Sequence, residues 1–184
     1  MTNFIGIFNN ALSSYKCKEI IKYIDKSELF PGGFDGGIVN KKVKDSLEVS
    51  DQFFSKLTWV DNYLLKSLND NLEKYKQTHP QLNIVSEWKV DDGYNLQKYN
   101  PGQGFFGSHC EAGNKFDSKR LLAWMFYLNT VTNGGGTRFD NYNKTFKARE
   151  GRLLIWPGYW THMHHGIVSK TQTKYIATGW FSYV

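Results

Sequence analysis

The chain of 184 residues contains two cysteines, Cys17 and Cys110, far apart in sequence. That scarcity excludes a disulfide-stapled scaffold and fits a reducing compartment. Nowhere does the chain approach the roughly 20 consecutive apolar residues that a membrane span requires, so no membrane partner is expected. Its start, MTNFIGIFNNALSS, lacks a basic region followed by a long apolar run, so no secretory signal is read and the expected location is cytoplasmic. There is no internal repeat, no low-complexity tract and no composition shift that would divide the chain. One domain over 1–184 is therefore expected, and this length buries a core without covalent staples. The formal charge of +6 comes from scattered lysines rather than from a block. A phosphate track needs clustered cations, so a nucleic-acid partner is disfavoured.

Aromatic residues are abundant: six Trp, eleven Tyr and thirteen Phe, as suits strands and a lined pocket. In the first half, SSYKCKEIIKYIDK (13–26) predicts a short amphipathic helix, capped by serine, with Ile20, Ile21 and Ile24 inward. The stretch 50–76 predicts a longer helix, on which Phe53, Leu57, Val60, Leu64, Leu68, Leu72 and Tyr75 step by three or four. Between them, the glycine-rich residues 31–37 read as a loop, and they and the region around Gly102 are candidates to close over a site. From Val85 onward the texture changes to short β-rich runs separated by turn residues. The reading is a mainly β fold in which 1–84 is helical support packed outside and 85–184 forms a sandwich or barrel.

The segment FFGSHCEAGN puts His109 and Glu111 two positions apart. In an extended chain they share a face, and Cys110 points away. Near the end, WTHMHHGIV holds His162, His164 and His165, of which the first two share a face if that segment is extended. Either could join His109 and Glu111, and the residues alone leave the choice open. Two imidazoles and a carboxylate make the facial arrangement that leaves iron positions free for substrate and oxygen.

Together with their surroundings these residues resemble a family. QKYNPGQGFFGSHCE, RLLAWMFYLNTVTNGGGTRF, GRLLIWP and HHGIVSKTQTKYIATGW occur in order over residues 96–181. They are similar to the iron(II)- and 2-oxoglutarate-dependent dioxygenases, in particular the prolyl 4-hydroxylase-like branch. The resemblance implies a double-stranded β-helix (jelly roll) and metal ligands His109, Glu111 and His164. Its basic residue, ten positions past the distal histidine, is here Lys174, which would grip the far carboxylate of 2-oxoglutarate. Tyr99 and Tyr127 resemble the tyrosines that bond that cosubstrate. Trp180 resembles the aromatic wall beside the metal. His162 and Thr178 fall to the pocket or its surroundings, and His165 to the surface. Glu111 stands where aspartate is more usual, and Ala123 where a threonine is common, so one pocket hydroxyl is missing.

The implied activity is hydroxylation of an unactivated C–H bond, most simply on a peptidyl proline. The implied cofactors are Fe(II), 2-oxoglutarate and O2, with ascorbate as a reductant, and the products succinate and CO2. A free amino acid, a small metabolite or a nucleic-acid base would leave the same motifs. A non-catalytic jelly-roll module holding a metal is the contrasting class, and the basic residue with two tyrosines argues against it.

Overall fold

A computed structural model describes residues 3–34, 37–50 and 52–184. The elements, in chain order, are β1 (Gly6–Phe8), α1 (Ser14–Lys26), β2 (Leu29–Pro31), β3 (Lys44–Asp45), β4 (Leu47–Val49), α2 (Trp59–Thr78) and β5 (Trp88–Tyr99). There follow β6 (Gly104–Phe105), β7 (Arg120–Tyr127), β8 (Thr137–Phe139), β9 (Lys144–Phe146), β10 (Leu153–Pro157), β11 (His164–Gly166) and β12 (Lys174–Tyr183). Seven strands form the main sheet in the order β1-β10-β7-β12-β5-β4-β2, three form a smaller sheet, β11-β8-β9, and β3 pairs with β6. The fold is the expected jelly roll, mainly β with helices outside.

Strand β7, RLLAWMFY, is buried almost throughout because both faces of the main sheet are covered. Leu122, Trp124 and Phe126 point to the helical side and pack with Leu96, Leu153, Ile155, Ala177 and Phe181 against Cys17, Ile20, Ile24, Leu64 and Leu68. Ala123, Met125 and Tyr127 point the other way, into a second cluster with Tyr99, Leu154, Trp156, Ile176 and Phe139 of the smaller sheet. The period-two alternation thus sorts one strand into a sealed face and a site-bearing face. Burying each large side chain in the sealed layer contributes about 1.5–3 kcal/mol.

Helix α1 runs as its pattern predicts, with Ser13 capping Lys16 N–H and Ile20 and Ile24 fully buried. Helix α2 starts later than the predicted residue 50. Thr58 and Asp61 form a reciprocal capping box, and the chain before them makes only a short turn over Phe54–Lys56. Leu57 sits in the left-handed region (φ 49°) and is exposed, and Phe53 is largely exposed while its backbone bridges to Gly93. The apolar stripe on the helix therefore begins at Val60, and Phe54 is the buried residue of the preceding turn.

Residues before 85 supply more than helices. β1, β2 and β4 lie at the two edges of the main sheet, and β4 pairs Leu47 to Val49 with Lys98 to Leu96 of β5. Strands of two or three residues carry no readable alternation, so only their partners reveal them. Of the glycine-rich loop 31–37, residues 35 and 36 lie outside the described residues, while Gly33, Phe34 and Gly37 line the cavity that the jelly roll encloses. Gly102, in a turn at φ 89°, is not among the lining residues.

Candidate metal centre

Tertiary structure, not extended sequence, brings the histidines together. His109 and His164 form an isolated bridge in which each backbone N–H donates to the other's carbonyl, at 2.9 and 2.8 Å. Glu111 follows in a turn held by Gly158, whose carbonyl accepts from the N–H groups of Glu111 and Ala112 at 2.9 and 2.8 Å. A side chain at 158 would meet the Arg120 carbonyl at 2.7 Å, so this close approach needs glycine. Ligand atoms of His109, Glu111 and His164 lie within 4.8 Å of one another, and this is the one such trio among the described residues.

The side chains are oriented as well as assembled. His109 Nδ1 is 2.9 Å from the Gly107 carbonyl and His164 Nδ1 is 2.9 Å from that of His162. A carbonyl only accepts, so each Nδ1 carries a proton and each Nε2 is turned inward. Glu111 Oε1 lies 3.2 Å from His164 Nε2 and 3.9 Å from His109 Nε2. Burial, then the neighbouring His164, lowers the His109 pKa to about 4, which keeps that ring neutral near pH 7. Burial alone would push Glu111 up, but His164, His109 and the Trp180 N–H together hold it down at about 2. Two imidazole nitrogens and one carboxylate converging on a point fit a divalent transition metal. The Phe105 ring stacks on His109 with centroids 3.7 Å apart, and fixes its plane.

The cavity beside this trio has a volume of about 570 Å3. Lys174, Ile176, Thr178 and Trp180, alternate residues of β12, all line it, as their parity predicts. Lys174 is buried, and its ammonium has neither a hydrogen bond nor an ion pair among the described residues; it lies 4.3 Å from the centroid of the Tyr99 ring. Burial lowers its pKa to about 8. A buried cation without an anion is costly, so the site's chemistry fits an anionic ligand such as a carboxylate. The hydroxyl of Tyr127 donates to Thr137 Oγ1 at 2.7 Å, and that of Tyr99 donates to Gln97 Oε1 at 2.7 Å. Burial raises both phenols, so both stay protonated donors.

Three expected site residues, His162, Ala123 and Tyr127, are not among those lining the cavity. His162 lies on a short helical turn, not an extended strand, with its ring nitrogens beside Asn3 O and Thr161 Oγ1; only its carbonyl serves the centre, through His164. Ala123 packs in the inner core without lining the cavity. Thr178 lines it but its hydroxyl donates to the Trp124 carbonyl at 2.8 Å. His165 is half-buried against Asp140 and contributes to the wall, rather than lying on the surface.

A polar network has no local signature in the sequence. Lys44 of β3 is buried, pairs with Glu48 of β4 and donates to the Gly33 carbonyl at 2.7 Å. Glu48 Oε1 also accepts from Gln97 at 2.8 Å, and Gln97 in turn accepts from Tyr99. These residues and Arg120 line the cavity, and nothing in their sequence neighbourhood marks them.

Fold and site together give a jelly roll whose cavity gathers three possible metal ligands and a buried cation. Residues 94–182, just under half of the chain, match the family model described as the 2OG-Fe(II) oxygenase superfamily, and that part of the chain is similar to the superfamily. The fold is similar to a viral collagen prolyl hydroxylase from Paramecium bursaria Chlorella virus-1 in complex with 2OG (TM-score 0.69, 20% identity, 98% of this chain and 97% of that one). It is also similar to a Trichoplax adhaerens prolyl hydroxylase bound to a hypoxia inducible factor peptide (0.76, 18%, 98% and 84%). A Pseudomonas putida prolyl-4-hydroxylase gives 0.71 at 16% identity over 100% and 94%. Among curated proteins, a 45-residue stretch is 47% identical to procollagen-lysine,2-oxoglutarate 5-dioxygenase 1 of Homo sapiens and of Bos taurus. That stretch is 24% of this chain and 6% of those proteins.

Proposed function

We propose that the protein hydroxylates a peptidyl side chain, most simply proline, with 2-oxoglutarate converted to succinate and CO2. In this reading His109, Glu111 and His164 hold iron(II), and Lys174, Tyr99 and Tyr127 receive 2-oxoglutarate. When bound, the metal and its cosubstrate supply the oxidising power that protein side chains lack. The chain's own residues bind, orient and shield. Lys174 offers a charge to the distal carboxylate, and Tyr127, fully buried behind the wall, donates its hydroxyl to Thr137, which lines the cavity. Phe105, Met125, Trp156 and Ile176 form apolar wall that restricts water. The buried, anion-less ammonium of Lys174 in a cavity shared with two histidines and a carboxylate is the observation that carries the reading. A plain metal module has no use for it.

Peptidyl proline is favoured because the solved structures with this fold include prolyl hydroxylases, one of them holding a peptide. Peptidyl lysine is the second reading, favoured by the short, closely matching stretch of the procollagen-lysine dioxygenases. The decisive assay loads iron anaerobically, admits air, and measures succinate from 2-oxoglutarate; none released with metal bound would leave a binding module. Proline and lysine peptides are then screened by mass spectrometry for the gain of one oxygen atom.

A further inference from the structure

Glu111 has one more rotatable bond than an aspartate, yet both of its carboxylate oxygens are engaged. Oε1 faces the imidazoles, and Oε2 accepts from Trp180 Nε1 at 2.6 Å. The indole is clamped in its turn. The Arg120 guanidinium lies 3.7 Å from the Trp180 ring centroid, a cation over the face of the best aromatic partner. Arg120 Nη1 donates to the backbone carbonyl of Glu111 at 3.3 Å, and Nη2 pairs with Asp117 at 2.9 Å. Asn114 Nδ2 donates to Asp117 Oδ2 at 2.6 Å. Contacts therefore leave the 111–117 loop, pass through Arg120 of β7 and Trp180 of β12, and return to the carboxylate.

We infer that Trp180 and Arg120 are positioning residues for Glu111, a device that makes the longer acid usable as the anionic metal donor of this chain. The inference rests on the metal-binding reading above. It differs from a mere wall role for Trp180, because it assigns the effect to the indole N–H. An aspartate at 111 would draw the carboxylate back by one methylene, about 1.5 Å, and out of reach of that N–H. Glu111→Asp is thus expected to weaken the centre here, although it shortens the side chain toward the family's usual acid.

The test is a double-mutant cycle read by cobalt(II) binding, with calorimetry and visible absorption as readouts. Trp180→Phe keeps the aromatic wall and removes the donor. It is expected to weaken cobalt(II) binding about tenfold to a hundredfold, the range for residues that orient metal ligands. In the Glu111→Asp background the same change is expected to alter binding by less than about twofold, since the bond is already gone. Arg120→Gln, which leaves the N–H in place but unclamped, is expected to give a smaller loss, about threefold. Circular dichroism of each variant confirms that the fold survives. Wild-type affinity in Trp180→Phe, or an equal loss in both backgrounds, overturns the inference. Failure of the wild-type protein to take up cobalt(II) at all would remove the metal reading itself, and this inference with it.

Discussion

The two ends of the cavity are built on opposite plans. At the histidine end every side chain is held: both Nδ1 atoms rest on carbonyls, Glu111 is gripped at both oxygens, and Phe105 fixes a ring plane. At the lysine end the ammonium of Lys174 is buried over the face of Tyr99, with no hydrogen bond or ion pair among the described residues. A preorganised donor set costs little to load, because its orientation entropy was lost on folding. An uncompensated cation instead raises the protein's free energy until an anion arrives. The first end suits an ion that stays, and the second a small molecule that is consumed and replaced.

Breaking the held end should have the largest effect. His164→Ala is expected to abolish both iron(II) binding, read by anaerobic calorimetry, and succinate release. Next in size, Lys174→Ala should raise the Kd for 2-oxoglutarate about a hundredfold, the loss expected when one member of a buried charge pair is removed. Metal affinity should be spared, and a parallel loss of iron would show that the two ends are not separable. The same lysine sets a pH limit. Its folded pKa is lowered by burial to about 8, so the charged form dominates below that value and is lost above it. Affinity of 2-oxoglutarate should be flat from pH 6 to 7.5 and fall by about tenfold by pH 9, as about one ammonium in ten remains. A flat titration to pH 9 would sink the role of the charge. Tyr127→Phe, which removes one neutral hydroxyl beside Thr137, should raise KM for 2-oxoglutarate only a fewfold. His165→Ala should change turnover by less than about twofold, because its ring meets Asp140 and not the donor trio.

Legibility in the sequence followed the length of the signal. Strand β12 and helix α1 announce themselves through ten or more residues of periodic pattern and β7 through a continuous apolar run, whereas β5 reads as two short runs that the structure joins into one strand. Spacing alone predicts the start of α2 too early, because the apolar spacing continues through Phe53 and Leu57, whereas the Thr58–Asp61 capping box decides where the helix begins. The edge strands β1, β2 and β4 are too short to display a period. In the site, His109 and Glu111 are readable as a local pair, and the ordered motifs singled out His164 and Lys174. Lys44, Glu48, Gln97 and Arg120 were not readable, since a charged residue is ordinarily solvated and only its neighbours in space reveal burial.

By itself the sequence determined the fold class, the strand alternation that gives β7 and β12 a sealed face and a site face, and the kinds of donor available. Those properties are local, and arise from side-chain period and residue chemistry. Only the tertiary structure decided that His109 and His164 pair backbone to backbone, that the rings turn their Nε2 atoms inward, and that Trp180 reaches the second oxygen of Glu111. Each depends on groups dozens of residues apart closing to hydrogen-bond distance, a geometry that strand pairing enforces and no sequence window contains.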